Sequence, residues 1–429
     1  MSAALHPLAV PARGTWDHRF AERTRHMRRS AVRELLKLTT RPDFISLAGG
    51  LPAPELFPIG EVRRASEAVL TRHPKQALQY GETEGLAGLR DWIANHLSSP
   101  GLTVKRTNVL VTTGAQQALD LIGRVFLDPG DRVLVENPTY LAALSAWRPL
   151  GVGFLAMPSD ADGMCVDAMP PLLKQRPKLA YCIPNFQNPQ GTTLSGQRRN
   201  CLVDLLHGED VVFVEDNPYG DLRYSGKEVP HVLTLSARLG GSSSIDGSVI
   251  YIGTFSKVLA PGFRVGWVVA PEPVIEKLVL AKQAADLHTS TLNQHIILEL
   301  VADGFLDRHI PLLRSAYRER RDGLVSALER LMPPEISWTR PEGGMFAFVT
   351  LPSNMIATTL LTHALERKVA FVPGEEFHID GAGTNTLRLS FTGVTPENLA
   401  RGVERLAEAI EAAGRVDECH SGSLPTVRA

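Results

Sequence analysis

Residues 248–270 read SVIYIGTFSKVLAPGFRVGWVVA. Two apolar, β-branched runs, 248–255 and 265–270, flank a turn marked by Pro261 and Gly262. Such runs read as buried strands. Working back along the chain, the same character returns in VVFVED (211–216), LAYCIPN (179–185), RVLVEN (132–137) and VLVTT (109–113). Helix-compatible stretches lie between them, at AQQALDLIGRVFL (115–127), near 139–147 and near 195–207, and two more precede them at 60–72 and 85–97. Apolar strands alternating with helices predict an α/β fold with a mainly parallel sheet between helix layers. Forward of the opening stretch, residues 272–330 read as mostly helical, with a long helix near 310–332. GGMFAFVTL, ATTLLTHALERK, VAFVPG, TLRLSF and a helix at 396–412 then form a second, smaller α+β unit.

The expected organisation is an N-terminal arm and helix over 1–58, a large domain over 59–300, a small domain over 301–418 and a flexible tail over 419–429. Within the first segment, residues 16–38 form a basic, helix-compatible stretch whose plain reading is a solvated surface helix. PDFISLAGGLPAPELFP (42–58) resists regular structure and is expected to cross a surface or enter a cleft.

A chain of 429 residues is long enough for one large and one smaller core. With 44% apolar and 21% charged residues it reads as globular. The formal net charge of -1, from 45 basic and 46 acidic side chains, asks for neither nucleic acid nor an anionic membrane as partner. Cys165, Cys182, Cys201 and Cys419 are scattered with no CxxC pair, so no metal site is expected and a reducing cytoplasm is the plain reading. The N-terminus lacks the apolar stretch of a signal peptide, and no run is long enough to span a membrane.

Three motifs carry chemistry. Lys257 lies in TFSKVLAPGFRVGW (254–267), at the carboxyl end of a predicted strand, the edge where open α/β sheets place ligands. A lysine held there can condense with an aldehyde, and Thr254, Ser256 and Arg264 around it can hold a phosphate. In TGAQQALD (113–120) the amides of Gly114, Ala115 and Gln116 open a helix and could make an anion site, although small residues before a helix are mostly plain turns and that is the default reading. GxGxxG and GxxxxGK[ST] are both absent, so the anion belongs to neither a dinucleotide nor a P-loop site. In VEDNPYG (214–220) Asp216 ends an apolar strand. Buried there, it needs a cation such as a protonated pyridine nitrogen; the bland alternative is a capping aspartate.

Together with AVRELLKLT, SLAGGLPAPELFP, ALQYGETEGLAGLR, ENPTY, NFQNPQG, PEGGMFAFV and LRLSF, these motifs run in one order from about residue 28 to 412. In that order the chain resembles the fold-type I pyridoxal 5′-phosphate (PLP) aminotransferases, most of all the branch of 2-aminoadipate, kynurenine and multi-substrate aminotransferases. The resemblance implies a seven-stranded, mainly parallel sheet and a homodimer with shared active sites. It implies that Lys257 holds PLP and shuttles the proton, and that Asp216 keeps the pyridine nitrogen protonated. Asn188 and Tyr219 would bond the ring's phenolic oxygen, and Tyr140 would stack on the ring. Ala115, Gln116, Ser256 and Arg264 would hold the phosphate, with Tyr80 reaching the partner subunit's phosphate. Arg388 would clamp the substrate α-carboxylate, the Gly49–Gly50 pair would let backbone approach the substrate, and Arg33 would meet a distal substrate carboxylate, against a plain surface charge as its alternative.

The resemblance further implies transfer of the amino group of an L-2-amino acid (2-aminoadipate, glutamate, branched-chain or aromatic) to a 2-oxo acid such as 2-oxoglutarate, by a ping-pong mechanism. Decarboxylation, elimination or oxidation on the same scaffold is the alternative. A DNA-binding regulator built on this domain is not expected, because only some 40 residues precede the catalytic-like domain. Four features depart from the pattern: Gly81–Glu82 beside Tyr80, Thr254 in place of serine, GVT after LSF, and the longer loop at 240–247. The first weakens any specific substrate assignment but leaves the cofactor assignment intact.

Overall fold

The computed structural model describes residues 16–27, 35, 41, 43–241 and 243–421, without the side chains of 17 and 415–421. The first strand, β1 (Ile45–Ser46), lies apart from the main sheet. The large sheet is built from β2 (Val109–Thr112), β3 (Arg132–Asn137), β4 (Gly153–Asp160), β5 (Gly163–Met164), β6 (Leu179–Cys182), β7 (Val212–Asp216), β8 (Val249–Thr254) and β9 (Gly266–Val269). Its order is β2-β9-β8-β7-β6-β3-β4-β5. The neighbours from β4 through β8 pair in parallel; β9 runs against both β2 and β8. β2, β6, β8 and β9 are buried along their whole length, which is why they read as continuous apolar runs. β4 escapes that pattern: GFLAMPSD is only partly apolar, and the strand ends in a hairpin with the two-residue β5. With β5 set aside, the expected seven-stranded sheet is present.

Helices Ala87–Leu97, Ala115–Phe126, Leu141–Trp147 and Gly196–Leu206 fall where the periodicity places them. The long helix is Phe305–Leu331. The small unit is a four-stranded antiparallel sheet of β10 (Ser337–Trp338), β11 (Phe346–Thr350), β13 (Val372–Pro373) and β14 (Thr386–Ser390), ordered β10-β11-β14-β13. Between β11 and β13 runs β12 (Val369–Ala370), the parallel partner of β1. That pairing welds the segment after Phe44 to the small unit. Leu47 N donates to Ala370 O (2.8 Å) and Ser390 N to Leu47 O (2.7 Å), so the Gly-Pro-rich stretch is carried inward, into the cleft.

Two expectations change. Residues 16–27 form two short 3-10 turns, Asp17–Arg19 and Glu22–His26, rather than the start of an α-helix, and Trp16, Phe20 and Met27 are exposed. With no buried face there, nothing supplies the packing that a short helix needs. The C-terminal helix runs Pro396–Ser421, past the start of the expected tail at 419; residues 422–429 lie outside the described residues. No helix among the described residues is long and apolar enough to cross a membrane, and no cluster of three His, Cys, Asp or Glu among them could hold a metal.

Candidate active site

The strand ends converge at the carboxyl edge of the sheet. Thr112, the last residue of β2, is the register partner of Gly266 in β9, and Gly266 also partners Thr254 at the end of β8. That pairing puts TGAQ beside the turn of residues 255–265. Gly114 opens the helix Ala115–Phe126 at φ 79°, and a Cβ there would lie 2.7 Å from Arg264 Nη2. Only glycine permits both the conformation and the approach. Arg264 itself is left-handed (φ 54°) and exposed, and it donates only long bonds, to Thr113 O (3.4 Å) and Pro261 O (3.5 Å). Its guanidinium is therefore weakly engaged, next to open amides at a helix N-terminus. Ser256 is buried and accepts from Thr254 Oγ1 (3.0 Å). Gln116 is exposed at the same helix start.

Asp216 ends β7, almost fully buried. Its Oδ2 accepts from Tyr181 Oη at 2.8 Å, and its Oδ1 has no partner. Burial pushes the carboxyl up to about 7, the Tyr181 hydroxyl opposing. An orphaned carboxylate oxygen this deep calls for a cationic N–H donor. Behind it Glu136 is also buried, accepting from Ile183 N (2.9 Å) and Gln187 Nε2 (3.4 Å), and burial pushes it up to about 8. Both carboxyls keep their protons in the folded chain at a pH where the unfolded chain has lost them. Without cofactor, stability therefore falls as pH rises from roughly 4 through about 8. Glu136→Gln should flatten that fall and raise the urea midpoint of the cofactor-free protein at pH 8, with little change at pH 5. An unchanged slope would show that Glu136 is ionised in the fold.

Lys257 is reached from the other side of the cleft, its Nζ donating to Gly50 O at 3.1 Å. Burial, and then the charges of Arg388 and Arg264, push it down to about 8, so that about a tenth of the amine is neutral and nucleophilic at pH 7, far more than for an ordinary lysine. A Cβ at Gly50 would meet the Phe346 ring at 2.6 Å, which ties that position to glycine; Gly49 beside it is buried. Arg388, on β14, is buried, donating Nη1 to Asn188 Oδ1 (2.8 Å) and Nη2 to Ala48 O (2.7 Å). Its guanidinium lies 4.3 Å from the Phe346 centroid and 4.9 Å from that of Phe377. Among the described residues it has no carboxylate partner, and its Nε is unpaired. Burial pushes it down to about 10, where it is still charged. Tyr219 is buried, edge-on to Phe346 and beside Asn188; burial raises its hydroxyl. Tyr140 caps the helix Leu141–Trp147, near enough for its hydroxyl to influence Tyr181, Tyr219 and Arg388.

Tyr80 stands apart from these groups, 78% exposed and edge-on to His288. Arg33 lies outside the described residues. Sequence reading does not assign Tyr181, Glu136, Phe346 or Phe377. Tyr181 alternates with the residues of a buried strand and looks like core. Phe346 lies in PEGGMFAFV, but its contact with Arg388 depends on how the loops and strands of the small unit fold back, which spacing does not reveal.

A pyridine N–H donor for Asp216 Oδ1, a phosphate for the Gly114–Gln116 turn and Arg264, and an aldehyde for Lys257 Nζ are the three parts of PLP, so the residues fit that group. The family described as aminotransferase class I and II matches residues 44–406. The chain belongs to the class I and II aminotransferases. Aromatic-amino-acid aminotransferase 1 of Thermococcus litoralis is 45% identical over 406 residues, 92% of this chain and 95% of that one. The crystal structure of the alpha-aminoadipate aminotransferase of Thermus thermophilus, complexed with N-(5′-phosphopyridoxyl)-L-leucine, matches with TM-score 0.87 and 42% identity over 94% of this chain and all of that one. The kynurenine aminotransferase of Pyrococcus horikoshii, with PMP, matches with TM-score 0.86 and 43% identity over 93% and 98%. This aminotransferase uses PLP and exchanges an amino group between an amino acid and a 2-oxo acid.

Proposed function

We propose that the enzyme moves the amino group of an L-2-amino acid, of the 2-aminoadipate, glutamate, branched-chain or aromatic class, to 2-oxoglutarate in ping-pong fashion. The observation that carries this reading is Arg388, a buried guanidinium with a free Nε and no carboxylate partner among the described residues. An α-carboxylate supplies what it lacks, in the bidentate geometry that arginine favours. PLP, when bound, supplies the sink for the electrons that a departing Cα proton leaves behind. Lys257 Nζ would take that proton and return it, and Asp216 Oδ1 would hold the pyridine N–H. Asn188 and Tyr219 would bond the ring oxygen, Tyr140 would cover the ring, and Gly114, Ala115, Gln116, Ser256 and Arg264 would hold the phosphate. Gly49, next to the Gly50 carbonyl that meets Lys257, would let the substrate close on the backbone.

The names of the relatives, covering aromatic, α-aminoadipate and kynurenine substrates, support a broad donor range. Arg33 would receive a distal carboxylate. A homodimer is supported by the exposed Tyr80 and Leu78 side by side, a surface for a second copy. The free thiols of Cys165, Cys182 and Cys201 support a cytoplasmic location. The test is a donor screen: single L-amino acids should bleach the visible cofactor band and 2-oxoglutarate should restore it. Arg33→Ala should cost 2-aminoadipate and glutamate about tenfold in kcat/KM and spare leucine. Bleaching that no 2-oxo acid reverses would instead identify elimination, decarboxylation or oxidation.

A further inference from the structure

Lys282 lies on the helix Glu272–Ala285, outside the chemistry-bearing motifs, and its side chain has no solvent exposure at all. A lysine is almost never buried this completely without a dedicated set of acceptors. Here the Nζ donates to Asp286 Oδ1 at 2.7 Å and to Gln117 Oε1 at 2.8 Å. Both acceptors also grip one residue. Gln117 Oε1 accepts from Thr113 N at 2.7 Å, and Asp286 Oδ2 accepts from Thr113 Oγ1 at 2.7 Å. Thr289 Oγ1 lies 3.2 Å from the same hydroxyl. The amide and the hydroxyl of Thr113 thus both lead, through one further side chain, to a single buried ammonium. The carbonyl of Thr113 receives Arg264 Nη2, and the next residue is Gly114, where the helix opens.

An apolar side chain would dock one helix on another at lower desolvation cost than an ammonium. What an apolar side chain cannot do is hold two oxygen acceptors in fixed directions. We infer that Lys282 is a positioning residue for the phosphate-binding turn: through Gln117 and Asp286 it locks Thr113, and with it the direction of the Ala115 and Gln116 amides and of Arg264; the Gly114 amide itself donates to Thr112 O at 2.8 Å. The proposal rests on the reading that this turn holds the cofactor phosphate. Burial lowers the basicity of Lys282 and Asp286 offsets part of that, consistent with an ammonium whose charge depends on its partner.

The test compares PLP with pyridoxal, which lacks the phosphate, as ligands of the full-length protein stripped of cofactor. Binding is read by the visible band and by quenching of tryptophan fluorescence. Lys282→Met keeps an unbranched side chain one atom shorter and removes the donors. It should raise the Kd for PLP about tenfold or more and leave the Kd for pyridoxal within about twofold, since the lost contacts act only on the phosphate end. Thr113→Val, a smaller change that cuts the hydroxyl's links to Asp286 and Thr289, should move the ratio of the two constants in the same direction and carries the test if the first variant does not fold. Arg264→Met is the control for the underlying reading and should collapse the preference for PLP. If Arg264→Met does so while the Lys282 and Thr113 variants weaken both ligands equally, or neither, Lys282 is a structural tether and the inference is overturned. If Arg264→Met leaves the ratio unchanged, it is the phosphate assignment itself that falls.

Discussion

Lys257→Ala should lower the half-reaction with a single amino acid by about 10⁴-fold or more, the upper range for loss of a positioned proton-transfer group. The same variant should lose the visible band of lysine-linked PLP and release the cofactor on dialysis. The physical basis lies in three neighbours. Burial together with the charges of Arg388 and Arg264 holds the amine at about 8, so Nζ is available as nucleophile and as base near neutral pH. Its hydrogen bond is to a backbone carbonyl, Gly50 O at 3.1 Å, a contact it can leave without stranding a charge. Stability should change little, because the amine has no carboxylate partner among the described residues. A variant that still converts the cofactor within about tenfold of the parent rate would transfer the proton role to another group.

Arg388→Leu should reduce kcat/KM for amino acid and 2-oxo acid alike by roughly a thousandfold. That is the range expected when one partner of a desolvated charge pair is lost, about 3–5 kcal/mol. The loss should disappear for an amine donor without an α-carboxylate, which separates a clamp from a general distortion of the site. The accompanying stability should not fall. The guanidinium is buried between Phe346 and Phe377 with its Nε unpaired, so its removal relieves a desolvation cost while forfeiting the bonds to Asn188 and Ala48. Urea unfolding of the cofactor-free variant measures the balance. A large drop in midpoint, with amines and amino acids equally affected, would make Arg388 a structural cation.

Two features of the fold, one missed in the sequence and one misread, share a cause. GFLAMPSD (153–160) is not legible as a strand, because β4 lies near the rim of the sheet with much of its length only partly buried. The stretch 16–27 has helix-compatible composition and no helix, because composition says nothing of whether a face finds something to pack on. In both cases burial, a property of the assembled molecule, outweighs local preference.

The local chemistry of this enzyme is written in its amino-acid order alone. The continuous apolar strands, the lysine and aspartate at strand ends, the glycine that opens the helix at 115, and the order of motifs that places the chain in its family are all legible there. These follow from side-chain type and from periodicity, which act over a few residues. What faces what had to wait for the folded chain. The register of β2 on β9 sets Gly114 against Arg264, far along the sequence. The pairing of β1 with β12 draws Gly50 onto Lys257, and the fold of β14 carries Arg388 to Asn188. The same holds for the Lys282 network and for the orphaned oxygen of Asp216. Burial, pairing and the lack of a partner are sums over neighbours from distant parts of the chain, so they exist only once the sheet has closed around them.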